Sequence, residues 1–187
     1  MLTLKLSTLA IALGTLAAGL NLYGLLKPAA FGAAARKFPR NTPAGWVLML
    51  LGTAWFLYYV SQESVADFTS MKSIFYLVFG LVGIGACLFV QDFLAVRGLA
   101  VVLLLMAKLM VDTGRPHLGD TNWTLVIQGW AYVMVTAGIW FTVSPWKCRD
   151  LITWATASEG RIRLLSGVRL AFALLVLALG LTVFRAS

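Results

Sequence analysis

Charge is scarce in this chain: Asp, Glu, Lys and Arg together make up 12% of its 187 residues. A water-soluble domain carries about a quarter. So few charges cannot clothe a surface in water. They also exclude a disordered chain, which stays open by being polar, and a free nucleic-acid-binding module. Histidine is reduced to His117. A single imidazole rules out bis-histidine haem ligation and a histidine-rich metal site within the chain. A Ser-His-Asp system would have to be built on His117, with no Gly-x-Ser-x-Gly elbow to present the nucleophile. Cysteine is limited to Cys87, in an apolar run, and Cys148, in a basic segment. They have no Cys-x-x-Cys spacing, so neither a disulfide framework nor a zinc site is indicated. Acidic residues number 7 against 15 basic ones. None sits mid-way along an apolar run, which removes the buried-carboxylate relay of a proton pump.

What is abundant is hydrophobic. Apolar residues make up 60% of the chain and the mean hydropathy is +0.88. They fall in continuous runs, not in the alternation that a membrane barrel strand requires. Crossing a hydrocarbon core of ~30 Å takes about 20 residues at ~1.5 Å each. Six runs qualify: about Leu2 to Leu26, Ala44 to Ser61, Met71 to Val90, Phe93 to Val111, Trp123 to Val143, and Leu164 to Phe184. The first has the look of a signal peptide, with Lys5 ahead and Ala17, Ala18 and Gly19 behind. It exceeds the apolar core of about 7–15 residues that such peptides carry, and is read as a span. Thr42-Pro43 and Ser144-Pro145 each offer a hydroxyl cap with proline at the first helical position. The expected fold is an all-α integral membrane protein, a bundle of six transmembrane helices with short amphipathic cytoplasmic segments, forming one polytopic domain over residues 1–187.

The loops set the orientation. Lys27, Arg36, Lys37 and Arg40 separate the first two spans, and Lys147, Arg149, Arg161 and Arg163 separate the last two. Arg97 and Arg169 begin spans on that same side. Ten basic residues there face five on the other side, which also holds Glu63, Asp67, Asp112 and Asp120. Basic loops stay in the cytoplasm, so both termini are expected outside a bacterial-type inner membrane. Tyr23, Trp46 and Trp140 then mark the inner interface, and Tyr58, Tyr59 and Trp123 the outer one.

The two basic loops have helical periodicity. Cys148, Leu151, Ile152 and Ala155 share a face, with Trp146 and Trp154 suited to the headgroup region, as in a short interfacial helix. The stretch from Pro28 to Pro43 has the same character more weakly. A span, a basic amphipathic segment and a second span therefore occur at both ends of the chain, a faint parallel echo. Small residues for close packing lie at Ala10, Gly14 and Ala18, at Gly80, Gly83 and Cys87, and at Gly167 and Ala171.

Charges within the spans are the candidate sites. The fourth span carries Arg97, Lys108 and Asp112. Lys108 and Asp112 are spaced to pair, both cations are near enough to an end to snorkel, and Gln128 enters the fifth span where it would face them. Lys108, Asp112, Arg115 and Gln128 form a candidate ligand or lipid-phosphate site. Asn21, Arg97 and Arg169 form a candidate inner headgroup site. The run Lys108 to Arg115-Pro116 resembles the first signature of the type 2 phosphatidic acid phosphatase family. In that family a Lys and an Arg hold the substrate phosphate at the outer end of a membrane helix, which implies phosphate contact by Lys108 and Arg115. The family's Pro-Ser-Gly-His and Ser-Arg…His signatures do not occur, so phosphatase turnover does not follow.

The expectation for function is a non-enzymatic structural or accessory subunit that packs against another membrane protein. Its surroundings are membrane lipids, with a membrane protein partner or a second copy of itself, and no nucleic acid, cofactor or metal. The competing classes are a small transporter or channel using the charged face of the fourth span, and a lipid-phosphate-binding protein. The orientation has a direct test. An impermeant thiol reagent on intact cells should label a Thr121→Cys variant and leave Cys148 untouched; an unlabelled Thr121→Cys protein would reverse the orientation.

Overall fold

The computed structural model describes residues 5–63 and 66–186, with backbone alone for 66–70 and 186. The expected start of the first span at Leu2 and the side chain of Asp67 lie outside the described residues. All regular structure among the described residues is helical: α1 Leu6–Leu26, α2 Pro28–Lys37, α3 Thr42–Gln62, α4 Ala66–Phe89, α5 Leu94–Gly114, α6 Thr124–Val143, α7 Pro145–Ala155, α8 Glu159–Leu181 and α9 Val183–Ala186. Six of these, α1, α3, α4, α5, α6 and α8, are long and apolar enough to cross a membrane.

The boundaries have local causes. Lys27 precedes a proline, which disfavours helical backbone, and its φ of −128° and ψ of 65° end α1. The cap of α3 is Asn41, one residue before the expected Thr42: its side chain accepts from the Ala44 amide at 3.1 Å, with Pro43 behind it. Pro145 opens α7 as its sequence predicts. The sixth long helix, α8, departs from expectation: it starts at Glu159 and not near Leu164. Ser158 accepts from the Arg161 amide at 3.2 Å and nucleates the helix across polar residues that hydropathy alone passes over. Likewise α4 begins at Ala66, five residues before the apolar run. A long helix, a short one and another long one occur at both ends of the chain, α1-α2-α3 and α6-α7-α8, the same element order as the echo in sequence.

On α7, Pro145 and Cys148 are buried and Ile152 half-buried, but Leu151 is exposed. Leu151 and Ile152 stand about 100° apart round the helix, on either side of Cys148. Cys148 is 4% exposed, and burial pushes its thiol up to about 11. Its silence towards a thiol reagent would therefore reflect burial, and the test of sidedness rests on Thr121→Cys.

The chain divides into two compact units. One comprises 37–106 and 134–148: α3, α4, the first part of α5 and the last part of α6. In it α3 lies against α5 through glycines. A Cβ at Gly45 would meet the Ala95 nitrogen at 2.8 Å, one at Gly98 would meet the Met49 nitrogen at 2.8 Å, and one at Gly52 would meet Val101. Gly83 of α4 admits the Thr53 side chain of α3 in the same way. Met49, Cys87 and Leu94 form a buried cluster with Trp46 and Ala86 against it.

The other unit comprises, among the described residues, 5–36, 107–133 and 149–186. Its framework is the antiparallel pair α1 and α8. Gly14 lies against the Leu177 backbone, Gly180 against Ala10 and Ile11, and Gly24 against Ser166. Trp130 of α6 meets Phe172 of α8 edge-on, ring centroids 5.3 Å apart.

Close approach at Gly14 yields a paired prediction on one helix. Gly14→Ala places a methyl 2.9 Å from a backbone nitrogen of α8 and should lower the melting temperature in detergent. Gly19→Ala meets nothing within 4 Å and gains up to about 1 kcal/mol of helix propensity, so it should melt no lower than wild type. Equal melting of all three proteins would dismiss this contact as what holds α1 to α8.

Candidate functional site

The far end of α5 forms a paired cluster, not an open cation site. Lys108 Nζ lies 2.5 Å from the Asp112 carboxylate, and both side chains are about half exposed. Gln128 does not turn to them. It is 7% exposed, donates to the Val111 carbonyl at 3.4 Å, and lies over Gly114, where a Cβ would sit 2.5 Å from its amide nitrogen. The reason is the side of α5 it meets: Ala107, Met110 and Gly114 are buried while Lys108 and Asp112 face out. Arg115 enters a 3-10 turn, Arg115–His117, with its side chain exposed. That turn is tied down by His117 Nδ1 and Asp120 at 2.9 Å, and by Thr124 Oγ1 donating to the His117 carbonyl at 3.1 Å. Among the described residues, no group of three metal-ligating side chains occurs.

Arg97, Asn21 and Arg169 separate into two sites. Arg97 belongs to the first unit, where it lines a cavity of about 390 Å³ with Met49, Thr53 and Phe56 of α3, Phe79, Val82, Gly83 and Ala86 of α4, Val90, Val101 of α5 and Thr142 of α6. The turn between α4 and α5 positions it. Phe93 has a φ of 54°, a left-handed conformation that costs a bulky residue about 1–2 kcal/mol. Its carbonyl accepts from both the Val96 and Arg97 amides at 3.0 Å. The reversal sets Val90 and Arg97 at the same end of the cavity. At the other end Phe56 and Phe79 meet edge-on, centroids 4.7 Å apart.

The polar chemistry of this cavity is one-sided. Thr53 Oγ1 donates to the Met49 carbonyl and Thr142 Oγ1 to the Gly138 carbonyl, both at 2.8 Å. Their hydroxyl protons are committed to their own helices. Arg97 Nε is buried and has no hydrogen-bond partner, and among the described residues Arg97 forms no ion pair. A guanidinium offers donors and no acceptor. The cavity therefore presents apolar walls and one cation whose Nε is a buried donor without an acceptor among the described residues, a group that is costly until an acceptor joins it.

Asn21 and Arg169 line a cavity of about 610 Å³ in the second unit, with Ala17, Leu125, Val126, Gly129, Trp130, Val133, Phe172 and Leu175. The antiparallel register that matches Gly24 with Ser166 and Gly14 with Leu177 places Asn21 level with Arg169. Asn21 is 8% exposed and spends one amide proton on the Ala17 carbonyl at 2.8 Å; Arg169 is exposed.

Two loop arginines are structural. Arg36 of α2 donates to the Thr156 carbonyl at 3.0 Å. Arg161 donates to the Trp154 carbonyl at 2.9 Å and stacks over the Trp154 ring at 5.2 Å. Both close the carbonyl end of α7, where cations are favoured. Sequence reasoning found Arg97, Lys108 and Arg169 on the apolar helices but missed the apolar lining of both cavities, since an apolar side chain facing a cavity and one facing outward read alike. Neither a protein family, nor a curated protein, nor a solved structure matches the chain.

The Lys108–Asp112 pair is exposed enough for its worth to be small. A double-mutant cycle of Lys108→Met and Asp112→Asn should give a coupling below about 1 kcal/mol. A coupling near 3 kcal/mol would mean that the pair is desolvated, as only buried pairs are worth that much.

Proposed function

We propose that this chain is a multi-pass inner-membrane protein, both termini outside, that binds an anionic amphiphile between its helices without transforming it. Six helices of spanning length and composition support the membrane assignment. The observation that carries the binding reading is Arg97, a cation with its Nε sealed from solvent and unpartnered, at one end of an otherwise apolar cavity. Ligand pockets combine apolar walls with few, well-placed polar groups, and this cavity has that composition. The wall at Val82 and Val90 is exposed, which gives an amphiphile a lateral way in from lipid. The transport reading has less support, because Lys108 and Asp112 engage each other.

The accessory-subunit reading keeps one specific observation. The flank of α4 exposes Ile74, Leu77, Leu81, Ile84 and Leu88, and Gly80 and Gly85 have nothing within 4 Å. Small residues on an open apolar flank admit another helix. Release of the purified protein from mild detergent into a mass spectrometer separates the two readings. Wild type should retain an anionic lipid or fatty acid that the Arg97→Leu protein loses. A bare wild-type chain accompanied by a second polypeptide in fixed ratio would put the subunit reading in its place.

A further inference from the structure

The Arg97 cavity has dimensions as well as polarity. Its wall along α4 and the residue just past its end runs from Phe79 to Val90, eleven residues or about 16 Å at helical rise, which is about half of a ~30 Å hydrocarbon core. A volume of about 390 Å³ over that length gives a section of at least about 24 Å², room for an extended polymethylene chain. Arg97, three residues into α5, and Thr142, one residue from the end of α6, lie at one end; the edge-on pair Phe56 and Phe79 forms the other. A slot one leaflet deep with a cation at its mouth matches a molecule with one chain and a charged head.

The head group follows from the donors and acceptors. Both threonine hydroxyl protons are committed to carbonyls, so the guanidinium supplies the free donors. A neutral head would leave its charge uncompensated. One guanidinium balances one negative charge, and its planar fork fits two oxygens of a carboxylate side by side. Resting on the amphiphile-binding reading above, we infer that the cavity between α3, α4 and α5 takes the single acyl chain of a monoanionic amphiphile, a long-chain fatty acid, with its carboxylate in the fork of Arg97. Binding is reversible association and involves no covalent step.

The test uses full-length protein in detergent at a pH where the carboxylate is ionised, with three probes: oleate, the neutral monooleoylglycerol, and the two-chain monoanion phosphatidylglycerol. Binding is read by native mass spectrometry and by the shift in melting temperature. Oleate should bind best. Arg97→Leu should weaken it about tenfold or more, the scale of one lost hydrogen-bonded ion pair. Arg97→Lys should recover part of that, keeping the charge and losing the fork. Ala86→Phe, which fills the slot and leaves Arg97 in place, should abolish binding, and it carries the test if Arg97→Leu fails to fold. Lys108→Met should bind as wild type. Equal binding of monooleoylglycerol and oleate would overturn the role assigned to Arg97. Preference for phosphatidylglycerol would overturn the single-chain assignment and leave the broader amphiphile reading standing. Failure of all three probes to bind the folded wild-type protein would overturn both.

Discussion

Helices whose sides are almost wholly apolar gain little from shielding one another within lipid, so what holds them is how closely their backbones can approach. In this chain that approach is granted at glycine. Gly14 and Gly180 let α1 and α8 meet at backbone distance, and Gly24 admits Ser166 between them. In the other unit Gly45, Gly52 and Gly98 do the same for α3 and α5, and Gly83 admits Thr53 from α3 into α4. A methyl at any of these positions meets an atom at 3.0 Å or less. The first cavity lies beside one of these contacts, since Gly83 and Thr53 both line it.

The openings are chemically distinct from the surface because of what borders them. Around Arg97, the back-bonding of Thr53 and Thr142 removes the polar protons that a neutral ligand or water would use. Back-bonding to the preceding turn is what threonine does inside an apolar helix, where no other acceptor is near. It leaves Arg97 as the cavity's donor with no acceptor among the described residues. The left-handed Phe93 belongs to the same arrangement. A looser turn between α4 and α5 would avoid its cost and would not return the chain so abruptly; the tight one delivers Arg97 to the end of the cavity that α4 has just lined.

Much of the fold was legible because long apolar runs have few alternatives. Helix number, the short helices α2 and α7, and the Lys108–Asp112 pair all follow from hydropathy and spacing. The boundaries were less legible, since α8 begins through the polar cap at Ser158 and α4 starts ahead of its apolar run at Ala66. The packing stripes were half legible. Ala10 and Gly14 face α8, and Gly83 and Cys87 are buried, but Gly80 and Gly167 meet nothing. Gly45 and Gly52, seven residues apart on one face of α3, carried a signal of the same kind as the stripes that were noticed. Asn21, Arg97 and Arg169 look equivalent in sequence, as polar groups near one end of their spans. Only the neighbours of each helix distribute them between two cavities.

The basic residues show why charge needs two separate readings. For orientation every Lys and Arg counts alike, because what resists translocation is the charge and not its later contacts. For function the contacts decide. Arg36 and Arg161 spend their donors on the carbonyl end of α7, and Arg149 is paired with Asp150 at 2.9 Å. These cations bear on how the loops fold. Arg169 lines a cavity but is exposed, so groups outside the protein can satisfy it at no structural expense. Arg97 differs from these: its Nε is closed off from solvent, and no acceptor among the described residues stands against it. A buried donor without an acceptor is destabilising on its own, and a chain with so few charges had every opportunity to place leucine there.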